Sequence, residues 1–319
     1  MAIWSFFKAV LASLFVVIYA DVGVAKELAP RDGDISESWS PLLSPEALQT
    51  FSDQLPDLQI VDIRSQKRAS KGVVPGSVLM PYKEWRGPKD RPGQPPTEQQ
   101  LEEYLADAGL RLDLPIAIVN HSGSTLQSGQ ASYIYWLLKT AGVQDVAILN
   151  GGFKAWAKSG QEIADEPSVL EPSFVNVDYK YDWWADPMDI FGVSSGQTHG
   201  FILDARLDAQ TKRAEETGKP MMSMPMAQLL SANLFTNYLS NRDLSAEGLD
   251  EFRSLLTSRG IELNDDLIIS ICQTGELSAL SWFYASEIAE IENIRYYPDA
   301  LQGWKSDGGK MFGLSGMSN

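Results

Sequence analysis

The chain has 319 residues, of which 44% are hydrophobic, 10% aromatic and 21% charged. That balance excludes a disordered, collagen-like or multi-span membrane protein. At about 100–200 residues per domain, the length suits two domains, each able to bury its own core. The formal net charge of −16 repels nucleic-acid backbones and anionic lipid, which argues against nucleic-acid binding. The single cysteine, Cys272, leaves no intrachain disulfide and no Cys-based zinc site, and two histidines, His121 and His199, offer little for a His-ligated metal.

Residues 1–25 have the pattern of a secretory signal peptide. Lys8 supplies a weak positive start, Ala9 to Ala20 is an apolar run, and Gly23 and Ala25 place small residues before a cut at Lys26. The mature protein is then expected in the periplasm or secreted, with no membrane span. Counting the apolar run from Ile3 lengthens it, so an uncleaved membrane anchor is the alternative.

The first half starts at Ser44-Pro45-Glu46, where Ser44 suits a helix cap and Pro45 the first helical position. A strand over 58–64 ends in Asp62 and Arg64, and a turn at Gly72–Ser77 leads to another short strand. Residues 87–96 are rich in Gly and Pro and predict a loop. Thr97 and Gln100 predict a capping box for a helix to about Ala108. Ile116–Val119 is a buried-type strand. The polar loop from Asn120 to Gly129 leads to a helix over 130–141, and a strand over 146–149 precedes a short helix carrying Phe153 and Trp156.

The second half repeats this order. A strand ends in Asp204 and Arg206, Ser245 is the expected cap of the next helix, and an apolar strand over 267–271 ends at Cys272. A helix over 278–289, a strand over 295–297 and a short turn at Gly303-Trp304 follow. Asp62 and Asp204 are 142 residues apart, Asn120 and Cys272 are 152 apart, and Trp156 and Trp304 are 148 apart, which marks a duplicated domain. The fold class is α/β: two tandem domains, 40–165 and 200–312, each a mainly parallel sheet with helices on both faces. Residues 166–199 are the linker, with Trp183 and Trp184 expected to fill the space between the halves.

The chain resembles the tandem-domain rhodanese family of sulfurtransferases, which includes thiosulfate and 3-mercaptopyruvate sulfurtransferases. The residues that carry the resemblance are Ile60–Arg64, Val74–Ser77, Leu149–Trp156, Leu203–Arg206 and Cys272–Gly275. The resemblance implies two rhodanese-like domains, the first inactive and the second catalytic. Asn120 stands where Cys272 stands in the second half, and an amide cannot carry sulfur. It also implies that a sulfane sulfur passes through a Cys272 persulfide from a donor of the thiosulfate or 3-mercaptopyruvate class. The acceptor would be a thiol, cyanide or a protein, and no metal or organic cofactor is needed.

A thiolate is the nucleophile such transfer needs. The loop Gln273, Thr274, Gly275, Glu276, Leu277 and Ser278 can turn backbone N–H groups toward the sulfur at a helix N-terminus, and this is expected to lower the Cys272 pKa. Gly275 would let the backbone curl closely around it. The loop has no cation, which weakens thiosulfate as the natural donor. Glu276 is expected on the outer rim, since an inward carboxylate would oppose an anion. Gln210 occupies the position of the family's substrate-binding arginine, so Arg206, Lys212 and Arg213 are the candidate substrate-binding cations, although Asp204 and Arg206 also suit a structural pair. Met221, Met222, Met224 and Met226 are expected to line the core or the mouth of the cleft.

Three other readings compete with this one. A cysteine phosphatase needs an arginine at the loop's end, where Leu277 and Ser278 stand. A Cys-His hydrolase needs His121 or His199 beside Cys272. A degenerate rhodanese serving as an extracytoplasmic binding or scaffold module is the alternative that Glu276 and Gln210 favour.

Overall fold

The computed structural model describes residues 39–235, 246–263 and 265–314. The signal-peptide reading of residues 1–25 and the expected cap Ser245 lie outside the described residues. The first half is built on strands β1 (Leu42–Leu43), β2 (Gln59–Asp62), β3 (Val78–Leu79), β4 (Ile116–Val119) and β5 (Val146–Leu149). They form one parallel sheet in the order β1-β5-β4-β2-β3. Every residue of β2, β4 and β5 is buried, as a parallel sheet covered on both faces requires.

The connecting helices start where the caps dictate. In α1 (Pro45–Gln54) the Ser44 hydroxyl accepts the N–H of Ala47. After the short α2 (Gln66–Ala69), α3 (Glu98–Asp107) carries the expected Thr97–Gln100 capping box. Helix α4 (Thr125–Thr140) begins well before the expected residue 130, because Ser124 accepts the N–H of Gln127 and converts half of the polar loop into helix. Helix α5 (Gly152–Ser159) closes this half.

The second sheet consists of β6 (Gly200–Asp204), β8 (Ala227–Leu229), β9 (Leu267–Ile271) and β10 (Ile294–Tyr296), parallel throughout, in the order β10-β9-β6-β8. Strands β7 (Met222–Ser223) and β11 (Phe312–Gly313) pair antiparallel beside it. Its helices are α7 (Asp208–Thr217), α8 (Ala246–Thr257), α9 (Glu276–Phe283) and α10 (Ala300–Ser306). Helix α9 starts two residues before the expected Ser278 and passes into a π-helical turn over Tyr284–Ile288. Of Met221, Met222, Met224 and Met226, only Met224 enters the core; Met226 is 72% exposed.

The register gives the two halves equivalent strand ends. Asp62 stands opposite Val119 and Asp204 opposite Ile271, so the next residues, Asn120 and Cys272, leave equivalent strand ends. Each half buries an Asp–Arg pair, Asp62–Arg64 at 2.5 Å and Asp204–Arg206 at 2.6 Å. The carbonyl of Asn120 accepts the N–H of Phe153, and that of Cys272 accepts the N–H of Leu301.

The halves meet along α4 and α9. A Cβ on Gly129 would fall 2.3 Å from the Glu276 carbonyl oxygen, so only glycine permits this approach. Tyr135 and Lys139 each donate to Glu287 at 2.7 Å across the same seam. Trp184 packs against Trp136, Tyr179 and Tyr181, and the Trp183 carbonyl accepts from Trp136 Nε1 and from the N–H of Tyr296. The linker also holds an unexpected helix, α6 (Pro187–Ser194), started by an Asp186–Asp189 capping box. No helix among the described residues is long and apolar enough to cross a membrane.

Candidate active site

Strand β9 delivers Cys272 to the inner end of a tight loop, and α9 begins four residues later. The thiol is 1% exposed. The N–H of Gly275 donates to Sγ at 3.1 Å, and the Ser278 hydroxyl lies 3.2 Å from Sγ and 3.0 Å from the Gly275 carbonyl. Gly275 adopts φ +105°, a backbone conformation that L side chains avoid. A Cβ there would also fall 2.5 Å from the Tyr296 hydroxyl.

These donors are the nest the sequence suggests, yet the net effect on the thiol is opposite to the expected one. Burial pushes the Cys272 pKa up, and the Glu276 charge adds to the rise. The Ser278 hydroxyl and the N–H groups of Ser278 and Thr274 pull it down without overcoming burial.

Glu276 is a second correction. Its side chain is 13% exposed and turns inward instead of lying on the outer rim. It accepts from the Thr274 hydroxyl at 2.6 Å and pairs with Arg86 at 3.5 Å. That pairing explains the inward turn, because a buried carboxylate needs a cation.

Arg86 belongs to the first half. It follows a 3₁₀ turn at Tyr82–Trp85, pinned by Trp85, whose Nε1 donates to the Met80 carbonyl at 3.0 Å. Its Nη2 donates to the Thr274 carbonyl, and its guanidinium lies over the Tyr133 ring at 4.7 Å. Burial works against the charge, but the Glu276 carboxylate helps to hold Arg86 protonated. Burial likewise keeps the neighbouring phenols protonated, with Tyr133 pushed up to about 12. Arg86 also borders a cleft of about 560 Å³ with Glu84, Pro88, Pro95 and Tyr104. The Gly- and Pro-rich loop that follows is tied to the second half by Arg91, 2.8 Å from Asp307 and 3.6 Å from Asp299.

Residues 44–159 match the family model for a rhodanese-like domain, and the second half repeats that domain's register and buried ion pair. The first half is thus a rhodanese-like domain, and the chain as a whole is similar to tandem rhodanese-family proteins. A Synechococcus elongatus protein provisionally named thiosulfate sulfurtransferase is 23% identical over 304 residues, covering 92% of this chain and 91% of that one. The sulfur carrier protein TtuD of Thermus thermophilus is 26% identical over 220 residues, covering 65% of this chain and 74% of its own. The crystal structure of the 3-mercaptopyruvate sulfotransferase SseA from Escherichia coli shares the fold. Its TM-score is 0.64 at 20% identity, over 82% of this chain and 98% of that one.

Within this chain the expected substrate-binding cations are placed elsewhere. Arg206 commits Nε and Nη2 to Asp204 and to the Met222 carbonyl, which makes it a structural residue and not a substrate ligand. Lys212 and Arg213 are exposed on α7, a helix that buries none of its residues. His121 has Arg68, Lys154, Arg64 and Asp62 as its charged neighbours, all in the first half, which removes it as a partner for Cys272. His199 contacts Asp266 instead. Sequence reasoning missed Arg86 because the search for a cation stayed within the half that holds the cysteine. The signal available was the Tyr82-Lys83-Glu84-Trp85-Arg86 run directly after β3.

Proposed function

We propose that this rhodanese-type sulfurtransferase moves sulfane sulfur by way of a persulfide on Cys272. The observation that carries the reading is the convergence of donors, Gly275 N–H and Ser278 hydroxyl, on the only thiol of the chain. Such donors favour a sulfur anion, and an inert core thiol would need none of them. The relatives named for sulfur transfer and sulfur carriage support the same reading.

In the first step the Cys272 thiolate attacks the donor's outer sulfur. With thiosulfate the S–S bond breaks, sulfite leaves with the electron pair and the persulfide anion remains. With 3-mercaptopyruvate the C–S bond breaks, and the proton of the donor thiol ends on the carbon of pyruvate. In the second step an acceptor such as cyanide or a thiol takes the outer sulfur and restores the thiolate. Neither step needs a metal or organic cofactor, and Asn120 leaves the first half without a nucleophile. The signal-like pattern of residues 1–25 supports action in the periplasm or outside the cell, which sequencing the N-terminus of the protein from its native compartment tests.

The test of the chemistry is intact mass before and after incubation with thiosulfate or 3-mercaptopyruvate, with Cys272→Ser beside it. A gain of one sulfur that needs Cys272 and disappears on adding cyanide is expected. No gain with either donor, from a free and unoxidised thiol, would favour the binding-module alternative.

A further inference from the structure

From the unpartnered donors over the Cys272 loop we infer that Arg86, supplied by the half without the cysteine, binds the anionic group of the sulfur donor, and that its pairing with Glu276 selects donors with one negative charge over dianions. The inference rests on the Cys272 persulfide reading and adds to it the residue that recognises the donor.

Three buried polar atoms near the loop have no partner: Arg86 Nη1, the Tyr82 hydroxyl and the Tyr296 hydroxyl. Buried polar groups are nearly always hydrogen-bonded, so three together at one place mark a site shaped for a ligand. The Arg86 side chain is only 8% exposed. Its structural bonds to the Thr274 carbonyl and Glu276 both use Nη2, which fixes the guanidinium and leaves Nη1 for another acceptor. Nη1 and the Tyr296 hydroxyl border the same point. Both flank Gly275, whose missing Cβ would lie 3.6 Å from the first and 2.5 Å from the second, with the Pro298 carbonyl at 3.3 Å, so they mark the wall of the site and not its centre. The Gly275 N–H in turn reaches the sulfur at 3.1 Å, so an anion that accepts from these donors lies on the side of the loop that faces the reacting atom. A guanidinium and two phenols are all donors, the complement of a carboxylate or similar oxyanion.

Charge decides which anion. Arg86 and Glu276 cancel at 3.5 Å, so this pair brings no net positive charge to the thiolate. Asp299, the other acid near Tyr133, shares Arg91 with Asp307, which lies closer to it, so this side of the site carries excess negative charge that also opposes a dianion. One added negative charge meets a half-shared guanidinium, whereas a second finds no cation and faces both Glu276 and the thiolate.

The test loads Cys272 with sulfur in the full chain and follows intact mass against donor concentration, with 3-mercaptopyruvate as the singly charged donor and thiosulfate as the dianion. Discharge of persulfide preloaded from polysulfide is followed separately with dithiothreitol, which is neutral. Arg86→Met is expected to raise the half-saturating concentration of 3-mercaptopyruvate by at least about tenfold, the loss of a charge-assisted hydrogen bond. Dithiothreitol discharge should fall far less, and Arg86→Lys should recover part of the loss. Glu276→Gln is expected to improve thiosulfate relative to 3-mercaptopyruvate by about tenfold.

Unchanged half-saturation in Arg86→Met, or equal loss in both half-reactions, would overturn the donor-binding role and leave Arg86 as a brace for the loop. Equal effects of Glu276→Gln on both donors would overturn the charge selection. If Arg86→Met does not fold, Arg86→Lys and Glu276→Gln carry both questions. A wild-type protein that polysulfide loads but neither donor loads would overturn the donor inference and spare the persulfide. One that nothing loads would overturn the persulfide reading itself.

Discussion

Replacing Ser278 with alanine should make the Cys272 thiolate harder to form, by an amount the geometry sets. The Ser278 hydroxyl has one proton and two acceptors within reach, Sγ at 3.2 Å and the Gly275 carbonyl at 3.0 Å. With a neutral thiol the proton can rest on the carbonyl, and on ionisation it can swing to the sulfur. A hydrogen bond to a charged group contributes about 1.5–3 kcal/mol, and about 1.4 kcal/mol corresponds to one pKa unit, so the loss is about one to two units. Burial already holds this thiol above its ordinary value, and the hydroxyl heads the groups that oppose it. Because Cys272 is the only cysteine, iodoacetamide labelling followed by intact mass reports on it alone. The inflection of labelling rate against pH should move up by about one to two units in Ser278→Ala, with about a 10–100-fold slower rate near neutral pH. Ser281→Ala removes a hydroxyl from the same helix that donates only to the Leu277 carbonyl, and it should shift nothing. Equal inflections in Ser278→Ala and wild type would refute the assignment of this hydroxyl to the thiolate.

Glu276→Gln should move the same inflection down, since the carboxylate is one of the causes that raise the Cys272 pKa. In the unmodified protein, labelling should keep accelerating as pH rises through and beyond the ordinary thiol range of about 8.5, and a plateau already reached at pH 7 would contradict burial as the dominant cause. Gly275→Ala faces both φ +105° and a contact of 2.5 Å to Tyr296. It should cost about 1–3 kcal/mol in urea unfolding and abolish sulfur loading. Asp204→Asn leaves the Arg206 guanidinium, 8% exposed, without its counter-charge, and should destabilise by about 3–5 kcal/mol by the same measurement.

The repeat was legible because its markers are local. The Asp62–Arg64 and Asp204–Arg206 strand ends, the Thr97 capping box and the apolar runs over 116–119 and 267–271 each announce an element within a few residues. Cys272 and Gly275 were legible for the same reason. What could not be read was set by distance in the chain. Whether Glu276 points in or out depends on Arg86, 190 residues earlier, and no local pattern carries that pairing. The thiol's pKa depends on how completely the two halves cover it, a property of packing that strand and loop signals do not contain. The early start of α4 and the presence of α6 were missed for a smaller reason. Ser124 and Asp186 are ordinary caps, and the polar or Pro-containing stretches around them read as loop.

The contact of Arg86 with the Thr274 carbonyl bears on how such a duplicated gene can change. A half without a nucleophile is usually free to drift. Here the copy without the cysteine supplies a guanidinium to the loop of the other, so its freedom ends at residues 82–86. Substitutions there and at 272–278 are expected to show epistasis, each tolerable only against a suitable partner. The two copies then form one unit of selection, and neither can be exchanged for a homologous half without carrying its side of the contact along.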